Sequence, residues 1–501
     1  MTHVHLIGVS GTGMGALAML FRERGARVTG SDVAFDPPIG PALEEAGIEC
    51  LRGYDAAHVS APAAPDLVVV GNAIRKDNPE ALAAEALGLR RVSMSGALRE
   101  EFLGGRRAVV VAGTHGKTTT TSIAAWVLQS AALDPGYFIG GIPKNFPRGA
   151  AIGRSQKSLT NARRAPFVIE GDEYDAVYWH KQPKFYDYIG VSDDDLVILT
   201  SVEHDHIDIY PDEAAYDAVF RELLRRVPKL GRVFADASQR RVRELLAETA
   251  AQARNVSFYA LQGDDTGDIT PEWLAALGPV DDQGKQIFDV YVGGSSLGRF
   301  TLNLPGAHNV KNALACIAVA AEGFAVSTAT IRSAIATFEG VRRRQELRGS
   351  PGGVLVYDDF AHHPTAVDET LRALRRKHPR GTLFAVFEPR SATACRNLHQ
   401  TAYVGAFAPA DVVLFAPIGR SHVPEAERLD VARLAREIGP KAEAISDVDA
   451  IVERLRTSAR SGDVVAILSN GAFGGIHEKL LAAFGPEHGP SAQVRETARN
   501  R

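Results

Sequence analysis

The stretch that most constrains this chain is Arg106-Arg-Ala-Val-Val-Val-Ala-Gly-Thr-His-Gly-Lys-Thr-Thr-Thr-Thr121. Val109, Val110 and Val111 make a short β-branched run suited to a strand buried on both faces, and a helical apolar pattern begins directly after Thr118. A loop of small residues joins the two. Gly113 and Gly116 let the backbone curl until several N–H groups face one anion, Lys117 adds charge, and Thr118 offers a hydroxyl to a magnesium ion. The spacing Gly-Thr-x-Gly-Lys-Thr is tighter than G-x-x-x-x-G-K-[ST], because Val111 stands where the first glycine of that pattern belongs. An ordinary strand-to-helix turn would need Gly, Gly, Lys and Thr to coincide after a buried strand.

At 501 residues the chain exceeds what one core supports, and about three domains are expected. A net charge of only −4 supplies no basic field for nucleic acid. Cys50, Cys316 and Cys395 are scattered, neither paired nor at metal spacing, which suits a reducing compartment. The first residues enter a strand with no charged leader, and no run of about 18 apolar residues occurs, so a cytoplasmic protein with no membrane partner is expected.

His3 to Gly8 reads as a buried strand. The turn Val9-Ser-Gly11-Thr12-Gly13-Met-Gly15 follows, then a helix from Ala16 to about Arg24 and a strand, Arg27 to Asp32, ending in an acid. This βαβ unit has the form that binds a pyrophosphate at a helix N-terminus, yet Ser10 replaces the second glycine of G-x-G-x-x-G. A dinucleotide and tight packing without a ligand both remain open. Another buried strand, Asp66 to Gly71, leads to Asn72, so Gly8, Asp32 and Asn72 should converge at the carboxyl ends of neighbouring strands. Gly104-Gly105 marks a linker, placing a Rossmann-like domain at 1–104.

A central P-loop ATPase-like domain is expected at 105–341. Within it the polar segment 153–164 reads as an insertion. The strand Pro166 to Glu170 delivers Glu170-Gly-Asp-Glu-Tyr-Asp175, and Leu196 to Thr200 leads into Ser201-Val-Glu-His-Asp-His206. Magnesium takes oxygen ligands beside phosphates, so Glu170 suits it; His206 is a less usual ligand, given weight by its strand-end position. Phe288 to Leu304 alternates around Gly293-Gly294 as a hairpin. Asn309 and Asn312 share a helix face and can aim both amides at a purine edge; helix capping would account for Asn309 alone. Arg342 to Arg344 form a cationic hinge where anions could be clamped. A Rossmann-like domain at 342–501 follows, with strands Val354 to Asp358, Leu383 to Phe387, Val412 to Phe415 and Val464 to Leu468, and a polar tail from Gly485. The fold class is thus α/β, three αβ domains, the outer two bringing reactants to a magnesium-nucleotide centre. Phosphoryl transfer needs positioning and charge neutralisation, which Lys117, Glu170, His206 with the ion, and Arg344 would supply.

Gly113-Thr-His-Gly-Lys-Thr-Thr119, Glu170-Gly-Asp-Glu-Tyr-Asp, Glu203-His-Asp-His206, Gly306-Ala-His-Asn309-x-x-Asn312, Arg343-Arg-x-Glu346 and Asp358-Asp-Phe-Ala-His362-His363-Pro follow one another along nearly the whole chain. Jointly they resemble the Mur ligase family. That resemblance implies amide-bond formation: ATP phosphorylates a UDP-muramyl carboxylate, and an amine attacks the acyl phosphate. Glu388-Pro-Arg-Ser391 and Ser469-Asn-Gly-Ala-Phe-Gly-Gly-Ile-His477 are similar to the branch that joins the murein tripeptide L-Ala-γ-D-Glu-meso-diaminopimelate to UDP-N-acetylmuramate. The alternative branch adds free L-alanine to the same nucleotide. A different class, an ATP-switched binding protein, would use the loop without forming product.

The resemblance implies that Gly11, Thr12 and Gly13 lie against the UDP pyrophosphate, framed by Asp32 and Asn72. Gly113, Thr114, His115, Gly116, Lys117, Thr118 and Thr119 would hold ATP, with Thr118, Glu170 and His206 on Mg2+. Asn309 and Asn312 would face adenine, Asp358 the ribose and Arg344 the transferring phosphoryl group. Arg390 and Ser469 would serve the incoming peptide, and His362 and His363 are further substrate-binding candidates. Ser201 departs from an asparagine frequent in the family, and Phe220 stands where several relatives carry a carbamylated lysine. A monomer or weak homo-oligomer is expected.

Overall fold

Three αβ units, each on its own sheet, follow one another in a computed structural model that describes residues 2–62, 64–154, 164–249, 255–419 and 423–485. Most of the expected 153–164 insertion, and the tail beyond 485, lie outside the described residues.

The first sheet is parallel, in the order Glu49–Arg52, Arg27–Asp32, His3–Ile7, Leu67–Val70, Arg91–Ser93. Strand order reverses at His3–Ile7, so the crevice opens beside Gly8. The following helix, Thr12–Glu23, begins within the glycine tract rather than at Ala16. A Cβ on Gly13 would stand 2.9 Å from Met94 Sδ, and one on Gly15 2.8 Å from Ile39 Cγ2. These glycines therefore serve close packing of a first helical turn, which an apolar periodicity cannot register.

The central sheet has ten strands: Ser295–Leu302, Gln286–Val292, Trp273–Val280, Val256–Leu261, Arg232–Asp236, Leu196–Leu199, Arg107–Ala112, Pro166–Glu170, Gly136–Phe138, Ala150–Ala151. Arg107–Ala112 lies between Leu196–Leu199 and Pro166–Glu170, with Val111 opposite Glu170 and Ala112 opposite Leu199. The expected buried strand is thus flanked by the two strands that carry the acids and the histidine. Val109 to Val111 are fully buried, and the helices Lys117–Ser130 and Ala307–Ala318 pack into the same core. The hairpin turns on Gly293 and Gly294, both at positive φ, and extends this sheet at one edge.

The third sheet runs Glu346–Gly349, Leu355–Asp359, Val464–Leu468, Leu383–Phe387, Val412–Phe415, Ala442–Ala444, with only the first pair antiparallel. The strand expected at Val354 to Asp358 runs one residue later, at Leu355–Asp359, so both adjacent acids lie within it. Ser95 and Arg99 tie the first unit to the second through the Asp187 carboxylate and backbone carbonyl, at 2.6 and 2.9 Å. Among the described residues no helix is long and apolar enough to cross a membrane.

Candidate active site

The loop after Arg107–Ala112 needs its glycines. Gly113 sits at φ 131°, where a Cβ would lie 2.3 Å from Thr200 Oγ1; Gly116 sits at φ 78°, where one would lie 2.6 Å from Asn312 Oδ1. Only glycine meets both demands at low cost. Gly116 is the N-cap of Lys117–Ser130 and offers no side-chain acceptor, so the first-turn N–H groups of that helix have no capping side chain. Ser201, the departure noted in the sequence, accepts a hydrogen bond from the His115 N–H at 3.0 Å and so braces the loop.

Lys117 Nζ donates to the Gly113 and Thr114 carbonyls at 2.6 and 3.3 Å and to Glu173 Oε1 at 2.9 Å. Burial works against its charge, but Glu173 more than compensates, and the Lys117 pKa rises above the usual lysine value. Glu170 accepts from the Thr118 hydroxyl at 2.8 Å and from the Gly140 N–H at 2.7 Å. Burial nonetheless raises its carboxyl pKa, outweighing these two hydrogen bonds and the charges of Lys117 and Arg344. His206, at φ 55°, places Nε2 3.0 Å from Glu173 Oε1. Burial would lower its pKa, and the contact with Glu173 raises it instead. Glu173 is fully buried, Tyr216 also reaches its Oε1 at 3.3 Å, and among the described residues its Oε2 has no hydrogen-bond partner. Lys117, Thr118, Glu170 and His206 therefore converge, as expected. Glu173, quoted in the sequence only as part of a motif, is the acid that joins two of them. Phe220 is buried against Tyr216 and Phe185, within an aromatic core.

A second acid, Glu203, ties this loop to the third unit. Its Oε2 lies 3.2 Å from His115 Nε2 and 3.4 Å from His363 Nδ1, and it accepts from Thr365 Oγ1 at 2.7 Å. Burial would raise this carboxyl, but the His115 contact, His363 and the Thr365 hydroxyl bring it to about 2. Thr118 and Thr119 are buried in the first helical turn, and Thr114 Oγ1 accepts from the Glu203 N–H at 2.9 Å. His362 has Nδ1 3.0 Å from the Phe360 carbonyl and Nε2 3.8 Å from Asp205.

The remaining expected residues divide. Asn312 lies against Gly116, whereas Asn309 donates to the Pro305 carbonyl at 2.8 Å, anchoring the helix to the residue before its N-cap. Arg343 and Arg344 both stack on Phe360, at 5.1 and 5.0 Å, and Arg343 also donates to the Ser469 and Gly471 carbonyls at 2.8 Å each. Asp358, expected at the ribose, is 2% exposed, with His477 at 3.3 Å and Arg348 at 3.3 Å. Neighbours on a strand face opposite ways, so Asp359 is the acid beside Arg344, accepting from the Gln345 and Ala361 N–H groups at 2.7 and 2.8 Å. Arg390 packs its stem on Gly471 and reaches Glu388 at 3.5 Å; Ser469 donates to the same Glu388, so the two residues expected to meet the peptide are joined by one acid. In the first unit, Gly11 is the N-cap before Thr12 and Gly13, Asp32 accepts from the Ser10 N–H at 2.9 Å, and Asn72 is exposed just past Leu67–Val70. Asp32 thus holds the glycine turn itself.

Three family models cover most of the chain: "Mur ligase family, catalytic domain" at residues 3–103, "Mur ligase middle domain" at 111–320 and "Mur ligase, glutamate ligase domain" at 343–471. The UDP-N-acetylmuramate–L-alanyl-γ-D-glutamyl-meso-2,6-diaminoheptandioate ligase of Escherichia coli (strain K12) is 38% identical over 481 residues, 95% of this chain and 97% of that one. The UDP-N-acetylmuramate–L-alanine ligase of Chromobacterium violaceum is 32% identical over 96% of this chain and 99% of its own length. A crystal structure of a murein peptide ligase from Psychrobacter arcticus 273-4 superposes with a TM-score of 0.69 at 34% identity, covering 97% of this chain and 99% of that one. With all three units matched in order and a relative this similar end to end, the chain belongs to the Mur ligase family.

Proposed function

We propose that this enzyme joins L-Ala-γ-D-Glu-meso-diaminopimelate to UDP-N-acetylmuramate in the cytoplasm, at the expense of ATP and with Mg2+. The observation that carries the choice of acceptor is the end-to-end likeness to the Escherichia coli tripeptide ligase, higher than that to the alanine ligase over a similar span. In this reading the muramyl carboxylate oxygen attacks the γ-phosphorus and ADP leaves. The peptide amine then attacks the acyl carbon, loses a proton, and phosphate departs.

Lys117 would leave Glu173 for the β and γ phosphates, which the loop N–H groups cradle. The half-buried Glu170 carboxylate and the adjoining Thr118 hydroxyl supply oxygen donors of the kind Mg2+ takes, so the residues fit the ion. Thr118, Glu170 and His206 would hold it, and its charge would offset that of the triphosphate. Arg344, fixed on Phe360, would meet the phosphoryl group, with Asp359 rather than Asp358 turned toward the nucleotide. Gly11 to Gly13 would take the UDP diphosphate, which accounts for an imperfect dinucleotide turn. The guanidinium of Arg390 suits a peptide carboxylate.

Purified protein with ATP, Mg2+, UDP-N-acetylmuramate and the tripeptide should yield UDP-muramyl-tripeptide by mass spectrometry, with one ADP per product. Faster turnover with free L-alanine would reject the tripeptide assignment, and nucleotide-driven conformational change without product would reject the ligase.

A further inference from the structure

The cluster around Glu203 contains more metal-ligating chemistry than loop bracing needs. His115, Glu203 and His363 each place a donor atom within 4.8 Å of the other two. His363 is 7% exposed, and among the described residues neither of its ring nitrogens has a hydrogen-bond partner. His399 stacks edge-on against it at 4.6 Å between ring centroids, and its buried Nε2 also lacks a hydrogen-bond partner among the described residues. The His363 Nδ1 lies 3.4 Å from Glu203 Oε2 without the alignment of a hydrogen bond, and a buried imidazole with no hydrogen bond at either nitrogen calls for an explanation. A protein hydrogen bond does not supply one here.

We propose that His115, Glu203 and His363 form a site for a first-row transition-metal dication, Zn2+ by preference, distinct from the Thr118, Glu170 and His206 group. A tetrahedral ion with arms of about 2.0–2.1 Å spaces its ligand atoms about 3.3–3.4 Å apart. Glu203 Oε2 stands 3.2 Å from His115 Nε2 and 3.4 Å from His363 Nδ1, so two of the three edges already have that length. Two imidazoles and one carboxylate are a zinc donor set, whereas Mg2+ prefers oxygen and water. His115 belongs to the phosphate loop, Glu203 to the strand-end loop beside it, and His363 caps the helix Pro364–Lys377 of the third unit. A bound ion would therefore pin the third unit onto the phosphate loop, and His399 is placed to support it.

The test is equilibrium dialysis of the chelator-stripped full chain against Zn2+ in a large excess of Mg2+, with bound zinc measured per chain. One equivalent is expected on the wild type and on His206→Asn, and none on His363→Asn or Glu203→Gln. Wild-type protein loaded with Co2+ should show the visible absorption of a low-coordinate N/O site, absent from His363→Asn. Should a core variant fail to fold, His115→Asn, at a half-buried loop position, carries the same expectation. Equal zinc on wild type and His115→Asn would overturn the proposal. Loss on His206→Asn with retention on His363→Asn would overturn it too, by placing the ion among the expected magnesium ligands.

Discussion

Glu173→Gln isolates the competition for Lys117. Glu173 Oε1 is 2.9 Å from Lys117 Nζ and 3.0 Å from His206 Nε2, with side chains 15%, 17% and, for Glu173 itself, 0% exposed. Breaking one side of a buried pair costs about 3–5 kcal/mol. Lys117 keeps two carbonyl acceptors and glutamine keeps an oxygen, so about 2–3 kcal/mol is expected. In a unit of this size that is a fall of about 4–12 °C in the unfolding temperature, read by calorimetry. If Lys117 leaves Glu173 for the phosphates, the lost contact was made only in the free state. MgATP should then bind Glu173→Gln up to about 30- to 150-fold more tightly, at 1.4 kcal/mol per tenfold. In a Lys117→Met background the same change should do little, because the partner is gone. Weaker MgATP binding by Glu173→Gln would refute this account, since it would show the acid working for the nucleotide.

Lys117→Ala should nearly abolish ADP release while the circular dichroism spectrum stays native; a wild-type rate would contradict the assigned loop. Gly116→Ala combines a left-handed backbone, costing about 1–2 kcal/mol, with a contact at 2.6 Å to Asn312, so nucleotide binding measured by calorimetry should fall at least tenfold. His206 has its pKa raised by Glu173, so its stabilising contribution is complete below the unfolded value of about 6.5 and is lost as pH climbs through the higher folded value. The ligand-free protein should therefore lose stability across that rise, and His206→Gln should flatten the profile. Arg390→Met should raise KM for the tripeptide about 10- to 100-fold, the worth of one charge-assisted hydrogen bond, and leave KM for ATP unchanged.

Strand ends were legible in the sequence because buried β-branched runs announce a parallel sheet, and such sheets gather polar residues at their carboxyl ends. Val109 to Val111, Val168-Ile169 and Leu196 to Leu199 foretold that Lys117, Glu170 and His206 would share an edge. Which of several adjacent acids faces inward was not legible. Glu170, Asp172 and Glu173 lie in one short word, and only the turn after Pro166–Glu170 brings Glu173 under Lys117. Which of the adjacent Asp358 and Asp359 pairs with His477 and which takes the Gln345 and Ala361 N–H groups was likewise not legible, since side chains alternate on a strand whose phase the sequence leaves open. The His115, Glu203 and His363 cluster was invisible because its members come from three segments that meet only through packing of the third unit.

That packing bears on how an acyl phosphate survives. Such an intermediate hydrolyses unless water is kept from it, so the amine must arrive as the cleft closes. The third unit meets the central unit beside the nucleotide loop through polar contacts: Thr365 and His363 on Glu203, and Gln345 on His308 at 3.2 Å. Polar contacts of this kind can be exchanged for water at little net cost, which suits an interface that must open to release product. The same residues that sense the third unit, His115 and Glu203, also brace the phosphate loop through Thr114 and Ser201. On the proposed reading, closure over the amine and ordering of the ATP cradle would be one event. Thr365→Val, which removes a hydroxyl from Glu203 and touches no nucleotide contact proposed here, should raise ADP release uncoupled from amide formation. An unchanged ratio of ADP to amide in that variant would break the link between closure and protection.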